Sequence, residues 1–425
     1  MKKTLLLFLF SALASLLVAQ TPRREISKNV RCSAGNLLAY PGPTHHRLTA
    51  PPAGMKPFYV NLYGSQGSCY LTKSATYDAP YLTLSAADSL GKLTTLGRDV
   101  LQRLKRIRND AFNHWGELTP LGNEQQRQIV GRIHERFPEV FAGKARVEAR
   151  SVPIMRCLLA MENALQQLSA LVPQVDIYHY ASQWDLYYLS PQEQDLSNMR
   201  LDLIEQQRYD RFLQKYNKRH DRLMRSLFND MNYVHREVDA DKLNCDLFKV
   251  ASNIQSTSLR RELTLYDLFT DEELYHNWQR DNVGWYMAFG NGGSGQKLYS
   301  QQAVIDHIIS EVDSVINNKR NGVGLHYSHQ AVVLPLCCQL NINGCGLVTD
   351  HLETLERKGW VNYRIIPMAA NVQLVFYRRN ADDKDILFKV LLNENEATLP
   401  LKAVDGPYYR WADFKEYYHH NSVMR

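Results

Sequence analysis

The chain has 425 residues, of which 44% are hydrophobic and 22% are charged. This composition is that of an ordinary globular protein, and it excludes disordered, collagen-like and coiled-coil proteins. The length predicts about two or three domains with a substantial core. The formal net charge is only +6, which gives no sign of nucleic-acid binding and is compatible with a small anionic ligand.

The first residues have the pattern of a cleavable export signal. Lys2 and Lys3 precede an apolar run from Leu5 to Ala19, and small residues lie near its end. A membrane anchor is the alternative, but the run is shorter than the ~20 residues that a spanning helix needs. We therefore expect residues 1–19 to be removed, the charge to fall to +4, and the mature chain to have no membrane span. The short lysine-rich signal favours a bacterial protein that is exported to the periplasm or out of the cell.

Strand and helix patterns alternate at both ends of the chain, around a middle part of helical character. The expected strands are residues 58–63, 145–149, 323–328, 372–378 and 386–392. The expected helices are residues 87–115, 118–137, 156–168, 196–228, 301–318 and 331–341. This order predicts an α/β domain, residues 20–171 and 301–425, that is interrupted by an α-helical cap, residues 172–300.

Export makes disulfides possible, but the seven cysteines do not indicate a pairing. Their odd number leaves at least one thiol unpaired within the chain, and Cys337 and Cys338 lie in an apolar run that predicts buried thiols. The fourteen histidines show no spacing typical of a metal site. His326 and His329 are three residues apart, but on a segment expected to be extended, where a zinc site would need other ligands. We expect the chain to bind no metal and no cofactor.

Three segments together carry the pattern of a phosphate-handling family. The first is Tyr59–Tyr70 (YVNLYGSQGSCY), which runs from the first strand into the loop after it. The second is Ser151–Cys157 (SVPIMRC), which enters a helix, and the third is His329–Leu336 (HQAVVLPL), which follows a later strand. In the same order, they resemble the R-H-G-x-R nucleophile loop, the second phosphate-arginine segment and the H-D or H-A-E proton-donor segment of the histidine acid phosphatases. Residues 117–122 and 367–377 are similar to the branch of that family that contains the multiple inositol polyphosphate phosphatases.

The resemblance covers roughly residues 30–415 and implies both a fold and a mechanism. The implied fold is α/β, a phosphoglycerate-mutase-like three-layer sandwich with an inserted α-helical cap, and its cleft lies beyond the carboxyl ends of the strands. In the implied mechanism, a neutral histidine attacks phosphorus and becomes a phosphohistidine, while arginines neutralise the phosphoryl oxygens. A second histidine donates a further hydrogen bond, and an Asp or Glu protonates the leaving oxygen.

This chain lacks most of the residues that such a mechanism requires. Ser65 and Cys69 stand at the positions of the two loop arginines, and Gln66 replaces the nucleophilic histidine. Gln330 falls at the acid of H-D, and Ala331 falls at the acid of H-A-E. Neither a glutamine nor an alanine delivers a proton at neutral pH, and an amide is a poor nucleophile. We therefore predict that no catalytic residue of the family is intact, and that the family reaction is absent.

Two phosphate-binding positions outside the loop are preserved. Arg156 and His329 keep the family's residue types, and Arg150 is the reserve candidate if the register is shifted. Arg156 lies near a predicted helix N-terminus, which favours an anion pocket over a purely structural ion pair. Cys69 is a nucleophile in chemical type, but a cysteine phosphatase would have the pattern C-x5-R, and Ala75 stands at that arginine position.

Three interpretations are compatible with these residues. The one we favour is an exported pseudophosphatase that binds a phosphate-bearing or other anionic small molecule without hydrolysing it. The second is an active acid phosphomonoesterase that hydrolyses inositol polyphosphates or other phosphate esters with non-standard residues. The third is a structural or surface-interaction protein with a vestigial pocket, whose protein partner the sequence leaves open.

Overall fold

The structure is a computed structural model that describes residues 21–190, 203–215, 220–291 and 301–423. The predicted export signal, residues 1–19, lies outside the described residues, and so do parts of the helix predicted over 196–228. Within the described ranges, no helix is long and apolar enough to cross a membrane.

In the described part of the chain, eight strands form one mixed sheet. The strands are β1 (Lys56–Ser65), β2 (Arg146–Ser151), β3 (Asp176–Ala181), β4 (Gly322–Ser328), β5 (Asn371–Arg378), β6 (Leu387–Leu392), β7 (Asn395–Ala397) and β8 (Tyr409–Arg410). Their order is β3-β2-β4-β1-β5-β6-β7, and β8 pairs with β6. The first four strands pair in parallel with one another, and the last four pair antiparallel. The carboxyl ends of β1, β2 and β4 therefore meet at one edge of the sheet.

The helices lie before, between and after these strands. Those of the described residues are α1 (Pro22–Lys28), α2 (Ser74–Ser89), α3 (Thr95–Ala111), α4 (Pro120–Arg136), α5 (Met155–Leu171), α6 (Leu186–Leu189), α7 (Leu203–Gln214), α8 (Asp221–Leu227), α9 (Met231–Glu237), α10 (Ala240–Ile254), α11 (Asp271–Phe289), α12 (Gln302–Asn317), α13 (Gln330–Gln339), α14 (Asn362–Ile365) and α15 (Trp411–Val423).

Helices cover both faces of the sheet. On one face, α4 and α5 pack against β2 and β4, with Ile129, Leu165 and Leu325 in a shared core. On the other face, α12, α13 and α15 pack against β1 and β5, with Ile308 and Leu334 among the buried residues. A third core joins α2, α3, α8, α10 and α11 away from the sheet. This architecture confirms the predicted α/β sandwich.

Two features of the fold differ from the predicted elements. The predicted helix 87–115 is two helices, because Gly91 has a left-handed φ of +66° just after α2 and Thr94 caps the start of α3. Within the predicted cap, β3 belongs to the main sheet. It is an edge strand that is mostly exposed, so it lacks the apolar run that marks a buried parallel strand. The division of the chain into domains stays a prediction.

Candidate functional site

The three segments singled out in the sequence meet at the carboxyl ends of β1, β2 and β4. Ser65, the last residue of β1, pairs in register with Ser328, the last residue of β4. Just beyond β2, Val152 donates its backbone N–H to the carbonyl of Tyr327 at 3.1 Å. The chain then turns into α5 after β2 and into α13 after β4. This edge of a parallel sheet is where α/β proteins bind ligands.

The loop after β1 is held by hydrogen bonds from its surroundings. The backbone N–H of Ser68 donates to Gln125 Oε1 at 2.8 Å, and Gln126 Nε2 donates to the carbonyl of Ser65 at 3.1 Å. On the far side of the loop, Asn253 Nδ2 donates to the carbonyl of Cys69 at 2.9 Å. Because these bonds use the loop's backbone, its shape does not depend on which side chains stand at positions 65, 66 and 69. Sequence analysis did not identify the residues that hold the loop.

The first two altered positions lie inside the protein. Ser65 is fully buried and Gln66 is 7% exposed. Ser65 Oγ and Gln66 Oε1 have no hydrogen-bond partner within the described residues. Such unsatisfied groups are rare in folded proteins and often mark a site that receives a polar ligand or water.

Arg156 and His329 are brought into contact. Arg156 lies in the first turn of α5, and its Nη2 is 3.2 Å from Nδ1 of His329, the residue that precedes α13. An arginine can only donate, so His329 Nδ1 accepts, and a neutral His329 carries its proton on Nε2. Burial, and after it the charge of Arg156, lowers the pKa of His329 to about 4. His329 is therefore neutral near pH 7.

Cys69 and Cys157 lie beside this pair as buried thiols. Burial raises the pKa of Cys69 to about 11, and the nearby charge of Arg156 offsets only part of that rise. Cys157 Sγ donates to the carbonyl of Ser328 at 3.3 Å. A thiol with such a raised pKa is protonated near neutral pH, which makes Cys69 a poor nucleophile.

Gln330 forms structural hydrogen bonds that the sequence did not predict. Its Nε2 lies 2.8, 2.8 and 2.9 Å from the carbonyls of Asn36, Ile366 and Pro367, and its Oε1 accepts from Asn36 Nδ2 at 3.1 Å. The amide is thus fully occupied and ties α13 to two distant loops. The neighbouring Ala331 is partly exposed and brings no polar group.

We expect Gln330→Ala to lower the free energy of unfolding by about 2–4 kcal/mol, because the buried carbonyls of Ile366 and Pro367 and the partly buried carbonyl of Asn36 lose the two N–H donors that they share. Urea-induced unfolding measures the change. The matched control is Gln128→Ala, which removes an exposed glutamine that is hydrogen-bonded to Glu124 on the same helix. Its free energy of unfolding should stay within about 0.5 kcal/mol of that of the native chain. Equal effects of the two substitutions would contradict this role of Gln330.

Arg150 is not brought together with Arg156 and His329. Its guanidinium lies 3.7 Å from Asp185 and 3.9 Å from Glu148, and it stacks over the ring of Tyr180. It lines a separate cavity against α12. Side chains alternate along β2, and residue 150 points to the α12 side of the sheet, whereas Arg156 lies beyond the strand's end.

A second polar cluster beneath the site was also missed in the sequence. His307 and Glu311 of α12 meet His326 of β4, and the three ligand atoms lie within 4.8 Å of one another. The i, i+4 spacing of His307 and Glu311 on a predicted helix is the signal that could have drawn attention to them.

Comparisons with known proteins agree with this geometry. Residues 112–393 match the sequence pattern described as "Histidine phosphatase superfamily (branch 2)". No curated protein matches the chain in sequence.

Solved structures share the fold over almost the whole chain. The Bifidobacterium longum multiple inositol polyphosphate phosphatase in complex with phosphate is 16% identical, with a TM-score of 0.77 over 92% of this chain and 98% of that chain. The same enzyme with inositol hexasulfate is 15% identical, with a TM-score of 0.75 over 90% and 96%. The phytase from D. castellii is 13% identical, with a TM-score of 0.71 over 93% and 86%.

At these identities the structures show the fold alone, which agrees with the predicted sandwich. Family membership rests on the sequence match, which spans well over half of the chain. The chain belongs to branch 2 of the histidine phosphatase superfamily, as the three segments predicted.

Proposed function

We propose that this protein is a pseudophosphatase, which binds a phosphate-bearing or similarly anionic small molecule and does not hydrolyse it. The observation that carries the proposal is Gln66, which stands at the nucleophile position of a loop that is otherwise held in place. An amide side chain cannot form a phosphoenzyme, whatever its surroundings.

Among the residues that the structure describes, no neighbouring group is placed to take over the reaction. Cys69 stays protonated near neutral pH because its pKa is raised to about 11. His329 is neutral, but the lone pair of its Nδ1 already accepts from Arg156, and its Nε2 then carries a proton. Gln330 is occupied by backbone carbonyls and Ala331 has no polar group, so no side chain at these two positions protonates a leaving oxygen. This disfavours an active phosphomonoesterase with non-standard residues.

Arg156 is the positively charged donor at the strand ends, and it favours an anion. Arg156 Nε has no hydrogen-bond partner within the described residues, and the guanidinium stands at the N-terminal turn of α5. The B. longum relative is solved with phosphate and with inositol hexasulfate. We infer that this chain takes ligands of that chemical class, with weaker affinity because Ser65 and Cys69 supply no positive charge.

We also infer that the protein acts outside the cytoplasm, in the periplasm or outside the cell. The support for this inference is the sequence of residues 1–19, with two lysines before an apolar run.

Binding of inositol hexasulfate at two pH values tests the ligand proposal. Sulfate esters keep their charge between about pH 5 and about pH 7.5, so any change in affinity comes from the protein. A bound anion raises the pKa of His329 from about 4, and binding is then accompanied by proton uptake. We expect an affinity at about pH 5 that is at least about fivefold higher than at about pH 7.5.

Isothermal titration calorimetry in two buffers measures both the affinity and the proton uptake. His329→Gln should bind with little dependence on pH and without proton uptake. If the native chain does not bind the hexasulfate at either pH, the ligand proposal fails, and the structural interpretation of the pocket gains support.

A further inference from the structure

A compact set of metal-ligating side chains lies between α12 and the sheet, separate from Arg156. His307 and Glu311 are one helical turn apart on α12, so they share a face, and His326 points at them from β4. His326 Nε2 is 2.9 Å from Glu311 Oε2, and His307 Nδ1 is 4.0 Å from the same oxygen. All three ligand atoms lie within 4.8 Å of one another.

These spacings are close to those of a bound metal ion. Nitrogen and oxygen ligands at about 2.0–2.2 Å from a tetrahedral Zn²⁺ are separated by about 3.4 Å. Two separations in the cluster, 2.9 and 4.0 Å, lie on either side of that value. Small movements of the side chains would therefore bring the three atoms to ligand distance from one ion. Two histidines and one glutamate are a common ligand set for zinc and similar divalent transition metals.

The rings of the cluster are held in position by their neighbours. The His307 ring stacks on Tyr188 with a centroid distance of 3.6 Å. Its Nδ1 contacts the hydroxyl of Tyr63 at 2.9 Å, and this contact has to be broken before Nδ1 can bind an ion. The His326 ring stacks on Tyr63 with a centroid distance of 4.4 Å. Ligands that are orientated in this way by surrounding groups need little reorganisation to bind a metal.

Glu311 is the carboxylate at the centre of the cluster. It receives a hydrogen bond of 2.6 Å from the neutral amide of Asn61, and its remaining close partners are Tyr59 and His326. Three arginines that border the same cavity, Arg146, Arg150 and Arg320, share Glu148 at 3.1, 3.9 and 3.5 Å. A bound cation would neutralise the carboxylate without any change in these ion pairs.

An unsatisfied buried oxygen points to the same place. Asn61 is fully buried, its Nδ2 lies 3.5 Å from His326 Nε2, and its Oδ1 has no hydrogen-bond partner within the described residues. A cation between Glu311 and His326 would allow the amide to turn over, so that Oδ1 faces the ion. Oδ1 would then gain the ion as a partner, and Nδ2 would give up its hydrogen bond to Glu311.

We propose that His307, Glu311 and His326 bind one divalent transition-metal ion, with Zn²⁺ as the best match to the ligand set. His307 and Glu311 line a cavity of about 230 Å³, which gives the ion a path of entry and room for a water ligand. The ion would link α12 to β4 beneath the anion site. Its binding would not depend on which ligand the anion site holds.

The test is metal uptake by the full chain after treatment with a chelator. Equilibrium dialysis against micromolar Zn²⁺, with metal analysis of the protein, should give one ion per chain. Bound Co²⁺ should give the visible absorption bands of a site with nitrogen ligands. A zinc concentration a hundredfold above Kd should raise the melting temperature by about 3–5 °C.

Glu311→Gln and His307→Gln should each lower the zinc affinity at least about a hundredfold. Both residues border the cavity, and melting in the presence of chelator shows whether each variant is folded. The matched control is His179→Gln, which removes one half of an exposed His–Glu pair with Glu162 and should leave zinc uptake unchanged. The proposal is overturned if the native chain takes up no ion, or if either Glu311→Gln or His307→Gln retains full uptake.

Discussion

The variant Ser65→Arg, Gln66→His, Cys69→Arg, Ala331→Glu should release phosphate from phytate at a rate at least about 1000-fold above that of the native chain. It restores the nucleophile, two phosphate-binding arginines and a proton donor, in a loop whose backbone is already held by Gln125, Gln126 and Asn253. The assay is phosphate release on the purified chain, from acid to neutral pH.

The new arginines bring a cost in stability. Ser65 and Cys69 are buried, and a buried charge without a partner is destabilising. We therefore expect the four-residue variant to melt below the native chain when no anion is present, and phosphate to restore much of the difference. This shift also shows that the introduced arginines face the ligand.

The matched control is the variant that keeps Gln66 and carries the other three substitutions. It has the arginines and the acid but no nucleophile, so it should bind anions and stay inactive. A folded four-residue variant that binds hexasulfate and releases no phosphate would contradict the view that these positions alone abolish the reaction.

The second large effect is expected for Arg156→Ala, which should weaken binding of inositol hexasulfate by about 10–100-fold. This is the range that corresponds to the loss of hydrogen bonds to a charged group. Arg156→Lys should recover part of the affinity, because it keeps the charge and loses the planar guanidinium. Calorimetric titration measures all three chains.

Arg150→Ala is the matched control for that experiment. It removes the same side chain from a position where the guanidinium is used by Asp185 and Glu148. Its affinity for hexasulfate should equal that of the native chain. A loss with Arg150→Ala and none with Arg156→Ala would place the ligand in the other cavity.

The parts of the fold that the sequence predicted are those with strong local signals. β1 and β4 are buried apolar runs that lead straight into loops, and α4 begins at Thr119 and Pro120, a cap and a first-turn proline. β3 was not predicted because an exposed edge strand has no buried apolar run. Its place in the sheet depends on its parallel pairing with β2, the preceding strand, across the intervening helix α5.

The same limit applies to the site. The contact between Arg156 and His329 follows from the meeting of parallel strand ends, which the order of the segments predicts. The role of Gln330 depends on carbonyls of residues 36, 366 and 367, and the cluster around Glu311 depends on the register of α12 against β4. Apart from the i, i+4 spacing of His307 and Glu311, these contacts between distant residues leave no signal in the sequence.

The central claim is that the native chain binds anions without turning them over, and phosphate release from phytate by the purified native chain tests it most directly. We predict no release above the background of the Arg156→Ala variant, from acid to neutral pH. Release that persists through repurification and is lost in Arg156→Ala would contradict the account. His329 and Cys69 would then be the nucleophiles to examine.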